Sequence, residues 1–263
     1  MSKKALCIGI NDYPGTQNDL SGCVNDANDW AAELGSHGYT VTKMLDGQAT
    51  HAAMTAAINS LIKSAVNGDT LVITYSGHGT WVPDSSGDEP DGRDEGLCPW
   101  DIGSVGPLLD DQIHQMFDAR AAGVRILLLS DSCHSGSVTR GREDDLDPGQ
   151  PRARFMPLEA WMPANELPQA STRPPHLVGG LKRSGGDLLL SGCLDTQYSW
   201  DTSFKGRPNG AFTYYALKTL HENKPANYEA WFKAIRTYLP STKLPQDPQI
   251  LGSATARRFK VFA

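Results

Sequence analysis

Four short apolar runs, residues 5–10, 70–75, 125–130 and 187–191, show no alternation between apolar and polar positions. They are rich in β-branched residues or leucine, which is how strands buried on both faces of a parallel sheet read. Residues 40–44 form a weaker candidate strand. Between these runs the apolar positions take helical spacing, over residues 24–34, 49–66 and 111–121. In the second of these, Met54, Ile58, Leu61, Ile62 and Ala65 repeat at i, i+4, i+7, i+8 and i+11. Two further helices are expected near residues 210–221 and 228–238. Strand and helix in alternation predict an α/β domain, with a mostly parallel sheet covered on both sides.

Two stretches break this pattern. Residues 141–186 carry seven prolines, which predicts a long segment without sustained regular structure. Loops of that length inside a compact domain are usually functional. Residues 83–101 are rich in Asp, Glu and Gly and are also expected to be irregular.

Composition narrows the function classes. A chain of 263 residues suits one large domain or at most two small ones, and 39% hydrophobic with 21% charged residues is ordinary for a soluble protein. The net charge of −6 and the lack of a Lys/Arg block argue against nucleic acid as a partner and leave room for a cationic substrate. No apolar run approaches membrane-spanning length, so no membrane partner is expected. The apolar start is cut short by Asn11-Asp12, so it reads as a first strand instead of a signal peptide, and a cytoplasmic location is expected. Five cysteines at irregular spacing, Cys7, Cys23, Cys98, Cys133 and Cys193, fit neither a disulfide framework nor a zinc site.

In an open parallel sheet the ligand site lies at the carboxyl ends of the strands. Ser76-Gly77-His78-Gly79 follows one strand, and Asp131-Ser132-Cys133-His134-Ser135-Gly136 follows another. A free thiol has a pKa of about 8.5, so a nucleophilic cysteine needs a neighbour that takes its proton, most often histidine. Most free cysteines are small buried hydrophobes, and a lone histidine between glycines is usually a turn residue. Cys7, inside the first strand, fits the ordinary reading, and so does Cys98. Cys133 does not, because Asp131, Ser132, His134 and Ser135 make its surroundings polar. His134 is the adjacent decoy, but side chains of neighbouring residues in an extended turn diverge.

These motifs, with Ala5-Leu6-Cys7-Ile8-Gly9-Ile10-Asn11-Asp12-Tyr13-Pro14-Gly15 and Leu20-Ser21-Gly22-Cys23-Val24-Asn25-Asp26-Ala27, resemble the caspase-like cysteine peptidases, and among them the metacaspases and their bacterial relatives. His78 precedes Cys133 by 55 residues, matching the known caspase spacing of about 50. The resemblance is strong over the first 140 residues and looser beyond. It implies a three-layer α/β/α sandwich as a single domain over residues 1–263, with a larger part (1–140), a connecting loop (141–186) and a smaller part (187–263). It implies a cysteine endopeptidase with Cys133 as nucleophile, His78 as its partner, and an oxyanion site near the backbone N–H groups of Gly79 and Cys133. Cys23, Asp26, Ser76 and Asp131 match the metacaspase pocket for Arg or Lys, so the expected partners are proteins or peptides with those residues before the scissile bond. A guanidinium would compensate a carboxylate two residues from the nucleophile and take bidentate hydrogen bonds. The plainer alternative is that Asp26 caps a helix and Asp131 satisfies backbone amides.

The resemblance also implies a calcium site. Acids matching Asp94, Asp110 and Asp111 hold the ion in calcium-dependent metacaspases, whereas a further ligand position is Arg140 here, for which Asp91, Glu143 or Asp144 would have to substitute. The acidic loop does not fit an EF-hand. A phosphatase loop needs five residues between Cys and Arg, and Cys133 and Arg140 have six between them. A glutaminase elbow needs Gly where Asp131 and Ser135 stand. The remaining alternative is a non-catalytic caspase-like scaffold. Finally, the connecting loop holds Arg142, Arg152, Arg154, Arg173, Lys182 and Arg183, all suited to the acidic pocket, and self-cleavage is expected there, first at Lys182-Arg183.

Overall fold

The computed structural model describes residues 1–84, 92–133, 151–168, 187–194 and 197–263, apart from the Thr16 side chain. In chain order the strands are β1 (Lys3–Gly9), β2 (Thr40–Leu45), β3 (Thr70–Ser76), β4 (Gly79–Pro83), β5 (Arg93–Leu97) and β6 (Leu108–Leu109). They continue with β7 (Arg125–Asp131), β8 (Arg152–Ala153), β9 (Asp187–Ser191), β10 (Trp200–Phe204), β11 (Arg207–Gly210) and β12 (Gln249–Gly252). The α-helices are α1 (Cys23–Ser36), α2 (His51–Lys63), α3 (Ile102–Val105), α4 (Asp110–Asp118), α5 (Ala211–Asn223), α6 (Tyr228–Ile235) and α7 (Ala254–Arg257).

Six strands form the central sheet in the order β12-β9-β7-β3-β1-β2. All neighbours are parallel except β12, which runs antiparallel to β9. The unbroken apolar runs follow from this: each inner strand feeds two cores. Leu6, Ile8, Leu71, Ile73, Ile126 and Leu128 face the layer holding Met54, Ile58 and Ile62 of α2 and Ile113 and Phe117 of α4. Ala5, Cys7, Val72, Leu127 and Leu129 face the opposite layer, with Trp30 and Leu34 of α1, Phe212 and Ala216 of α5, and Trp231 of α6. The result is the three-layer sandwich, with strands from both sequence halves in one sheet.

Local chemistry sets the helix starts. Thr50 accepts the Ala53 amide and Asn227 accepts the Ala230 amide, each as an N-cap. α2 is therefore shorter than its apolar stripe predicted, running from His51 to Lys63. Two expectations of irregular chain are corrected. Within 83–101, β5 pairs with β4 and β6 in a small antiparallel sheet. Within 141–186, residues 151–168 form β8 and a 3-10 turn at Leu158–Ala160. Arg154, Met156 and Leu158 there are 0%, 1% and 4% exposed. Side chains seated in a folded core give this segment its order despite its prolines.

Candidate active site

The parallel register brings the carboxyl ends of the strands together. Ser76 at the end of β3 pairs with Gly9 of β1 and with Asp131 of β7, so the residues that follow, His78 and Cys133, lie along one sheet edge. His78 is held by its main chain: its N–H donates to the Tyr13 hydroxyl at 3.0 Å, and its carbonyl accepts from the Tyr75 hydroxyl at 2.6 Å. Gly77 leaves room for this arrangement, since a Cβ there would lie 2.6 Å from the Tyr75 hydroxyl oxygen and 2.8 Å from that of Tyr13.

The His78 ring is buried, and its Nε2 lies 2.7 Å from the Asn18 carbonyl oxygen. A carbonyl only accepts, so Nε2 carries the proton and the neutral ring keeps a bare lone pair on Nδ1. That Nδ1 has no hydrogen-bond partner. Burial pulls the His78 pKa down to about 4 against the Asn18 contact, and Arg154 and Arg152 push in the same direction. Cys133 is fully buried, its sulfur 2.6 Å from the Ser199 amide nitrogen and 3.4 Å from the Ser199 carbonyl oxygen. No hydrogen bond joins His78 to Cys133.

Beside the cysteine, three carboxylates surround one guanidinium. Arg154 Nη2 donates to Asp26 Oδ2 at 2.7 Å, and Nη1 lies 3.3 Å from Asp131 Oδ2 while also donating to the Asp131 carbonyl at 3.1 Å. Asp201 Oδ1 lies 3.9 Å from Nη2 and makes no hydrogen bond. Each acid is fixed from behind. Asp26, in the first turn of α1, accepts from Asn209 and the Gly210 amide; Asp131 accepts from the Ser199 hydroxyl and the Thr213 amide; Asp201 accepts from the Ser21 and Gly22 amides. Burial pushes the Asp26 carboxyl up to about 7 while Arg154 pulls against it. Gly210 permits the close approach, since a Cβ there would overlap Asp131 and Arg154.

The backbone of the same segment is equally engaged. The Arg154 carbonyl accepts from the Gly79 amide at 3.0 Å and from the Cys133 amide at 3.1 Å. Arg154 N–H donates to Ser199, and Met156 N–H to Gly79.

Of the residues read from the sequence, Asp26 and Asp131 converge on this pocket. Cys23 and Ser76 are buried, and neither makes a hydrogen bond to the guanidinium. Burial raises the Cys23 thiol well above its ordinary pKa, so it stays protonated near neutrality. Asp201, Asn18 and Ser199 went unseen in the sequence; Asp201 lies in a short strand with no motif, and Asn18 acts through its backbone.

The expected calcium ligands lie in the small antiparallel sheet and at the start of α4. Asp94 is buried in β5, Asp110 is half-buried, and Asp111 is exposed in the first turn of α4 with its amide donating to Asp110. Among the described residues, no group of three His, Cys, Asp or Glu side chains is placed to hold a metal ion. Asp91, Arg140, Glu143, Asp144 and His134 lie outside the described residues, as do Arg142, Arg173, Lys182 and Arg183. No helix among the described residues is long and apolar enough to cross a membrane.

The similarities to known proteins run along the same lines. A crystal structure of a protein from Geobacter sulfurreducens superposes with a TM-score of 0.74 at 30% identity, covering 100% of this chain and 98% of that one. Caspase-1 from Spodoptera frugiperda shares the fold at 11% identity, with a TM-score of 0.56 over 95% of this chain and 86% of its own. Metacaspase-1 of Ajellomyces capsulatus is 32% identical over 94% of this chain and 79% of its own length. Metacaspase-1A of Aspergillus clavatus is also 32% identical, and the chain spans 65% of it. The family described as metacaspase, peptidase C14 domain, matches residues 3–140, the part that supplies the buried histidine, the cysteine and two of the three carboxylates. The chain therefore belongs to the metacaspases, a family of cysteine-type endopeptidases.

Proposed function

We propose that this chain cleaves peptide bonds after Arg or Lys, with Cys133 as nucleophile and His78 as its acid–base partner. The observation that carries the reading is the buried cage of Asp26, Asp131 and Asp201, whose carboxylates face a guanidinium beside the cysteine. A substrate carboxylate in that cage would meet three like charges and lose its hydration, so acidic residues are rejected. A substrate guanidinium gains charge-assisted hydrogen bonds in a desolvated site, and Arg offers a planar fork where Lys offers a point charge.

The chemistry follows from the donors. The Gly79 and Cys133 amides converge on one carbonyl oxygen, and such a pair stabilises the oxyanion that forms when the sulfur attacks. His78, neutral at physiological pH and with Nδ1 free, takes the thiol proton and passes it to the leaving amine. The Asn18 carbonyl holds the ring in the tautomer this requires. No step is assigned to calcium.

The test is a panel of peptides with Arg, Lys or Asp before the scissile bond, assayed with calcium and with chelator. Turnover of Arg and Lys peptides, abolished by Cys133→Ala and by His78→Ala, is expected. Preference for Asp would overturn the pocket, and full activity in either variant would overturn the mechanism. Labelling by an iodoacetamide probe separates an enzyme from a scaffold, whose Cys133 would show no special reactivity.

A further inference from the structure

We propose that Gln246 is a positioning residue that, through the Ser199 hydroxyl, orients Asp131 and sets a preference for Arg over Lys in the acidic pocket. The inference rests on the proposed peptidase function and names the residues behind one part of its specificity.

Gln246 lies between α6 and β12, outside every motif of the site, yet it is 0% exposed. Its Nε2 donates to the Gly192 carbonyl at 2.8 Å and to Ser199 Oγ at 3.3 Å, and its Oε1 accepts from the Trp200 amide at 3.2 Å. A main-chain carbonyl only accepts and a main-chain N–H only donates, so these contacts settle which end of the side-chain amide is which. Ser199 Oγ therefore receives a proton from Gln246 and turns its own proton to Asp131 Oδ1, 2.5 Å away. The main chain of Ser199 is already fixed. Its N–H meets the Cys133 sulfur at 2.6 Å, and its carbonyl accepts from the Arg154 amide and the Cys133 thiol. The hydroxyl is the freedom that remains, and Gln246 removes it.

The two oxygens of Asp131 are thereby given separate tasks. Oδ1 holds the Ser199 hydroxyl, and Oδ2, steadied by the Thr213 amide, faces the guanidinium at 3.3 Å. Asp26 takes the other arm of the same guanidinium. An Arg side chain needs both acids at fixed angles, because its N–H groups form a rigid planar fork. A Lys ammonium is a single charge with rotating donors, and it tolerates a carboxylate that swings. Without the Ser199 hydroxyl, Asp131 keeps its charge in the pocket and loses its angle, which penalises Arg more than Lys.

A glutamine that only joined the loops would be satisfied by the Gly192 carbonyl and the Trp200 amide. The remaining N–H of Gln246 ends instead on the hydroxyl bonded to a pocket acid. Gln197 and Asp247 supply the contrast. Gln197 Nε2 donates to Asp247 at 2.9 Å and its Oε1 accepts from the Asp247 amide at 2.7 Å, while Asp247 pairs with Arg236 at 3.1 Å. These residues tie the same two loops together through bonds that bypass the Ser199 hydroxyl.

The experiment measures kcat/KM for two peptides that differ only in Arg or Lys before the scissile bond, on the full chain and its variants. The readout is the Arg:Lys ratio on each protein, from which the fraction of folded enzyme cancels. Ser199→Ala should lower the ratio about fivefold or more and Gln246→Met about threefold, since each removes a hydrogen bond to, or behind, a charged group. Ser199→Cys keeps the size of the side chain with a weaker donor and should shift the ratio in the same direction. In Ser199→Ala/Gln246→Met the ratio should match that of Ser199→Ala alone, because the glutamine acts through the hydroxyl. Gln197→Ala should lose stability, measured by unfolding, and keep the wild-type ratio. A ratio unmoved by the Ser199 variants or by Gln246→Met overturns the proposal. So do losses that multiply in the double variant, a shift in Gln197→Ala as large as in Gln246→Met, or a wild-type preference for Lys. If the wild type prefers Asp peptides, the proposed specificity fails and takes this inference with it, whereas an active Arg and Lys peptidase whose ratio ignores Ser199 refutes this inference alone.

Discussion

Two groups of acids in this protein are treated in opposite ways by the fold. Asp26, Asp131 and Asp201 come from positions far apart in the chain and meet in a fully enclosed space around one guanidinium. Asp94, Asp110 and Asp111 lie close in sequence, yet one is buried in a strand while the last stands in solvent at a helix start. Carboxylates near one another in sequence remain weakly coupled when water screens them, whereas three in a dry pocket are costly unless a cation joins them. The first group is thus a demand for positive charge, and the second grades from a buried strand position to solvent.

The contrast is sharpest where the cation is removed. Arg154→Ala leaves three enclosed acids facing one another and should cost about 3–5 kcal/mol in denaturant unfolding, with agmatine recovering much of the loss. A loss below 1 kcal/mol, an order-of-magnitude threshold for exposed ion pairs, would place this group with the surface acids.

Next in size is the pH response of the buried ring beside the cage. His78 has a folded pKa of about 4, below its ordinary 6.5, so the unfolded chain binds the extra proton between those values. Stability from the neutral ring is fully present above pH 6.5 and is lost as pH falls towards 4. Relative to His78→Gln, the wild type should lose about 3 kcal/mol between pH 7.5 and pH 4, measured by unfolding at each pH. Parallel curves for the two proteins would contradict the buried, neutral ring.

A smaller effect is expected from the third carboxylate, which touches the guanidinium only at 3.9 Å. Asp201→Asn should lower kcat/KM for Arg peptides by about tenfold. An unchanged rate would reduce the cage to two acids. Smallest of all, Asp111→Ala should alter stability by no more than about 0.5 kcal/mol. It should also leave the calcium response of peptidase activity unmoved, and loss of a clear calcium activation would instead make Asp111 part of a shell completed from residues 85–91 or 134–150.

How much of this was readable beforehand depended on where the determining forces act. The inner strands β1, β3, β7 and β9 were legible because burial on both faces leaves continuous apolar runs. β2 read weakly because it sits at an edge with most of its residues partly exposed. β8 has two residues, and β12 pairs antiparallel at the other edge; pairing with distant chain makes them strands, and no local pattern records it. At the site, Cys133, His78, Asp26 and Asp131 follow strand ends or open a helix and fall within motifs. Arg154 is one of six basic residues noted in the connecting loop, and a basic residue in a proline-rich stretch looks alike wherever it stands; Lys182-Arg183 lies outside the described residues. The path of the chain decides which one reaches the cage.

The position of β9 carries a consequence for the molecule as an object in two pieces. It is hydrogen-bonded to β7 on one side and β12 on the other, so the strands before and after residues 152–156 belong to one sheet. Residues 155–263 alone would present an open strand edge with Leu188, Leu190 and Phe212 uncovered, and residues 1–154 would bare the matching face of Leu127 and Leu129. Expressed separately, each piece should aggregate; expressed together in one cell, they should find each other and reconstitute a soluble heterodimer held by no covalent bond.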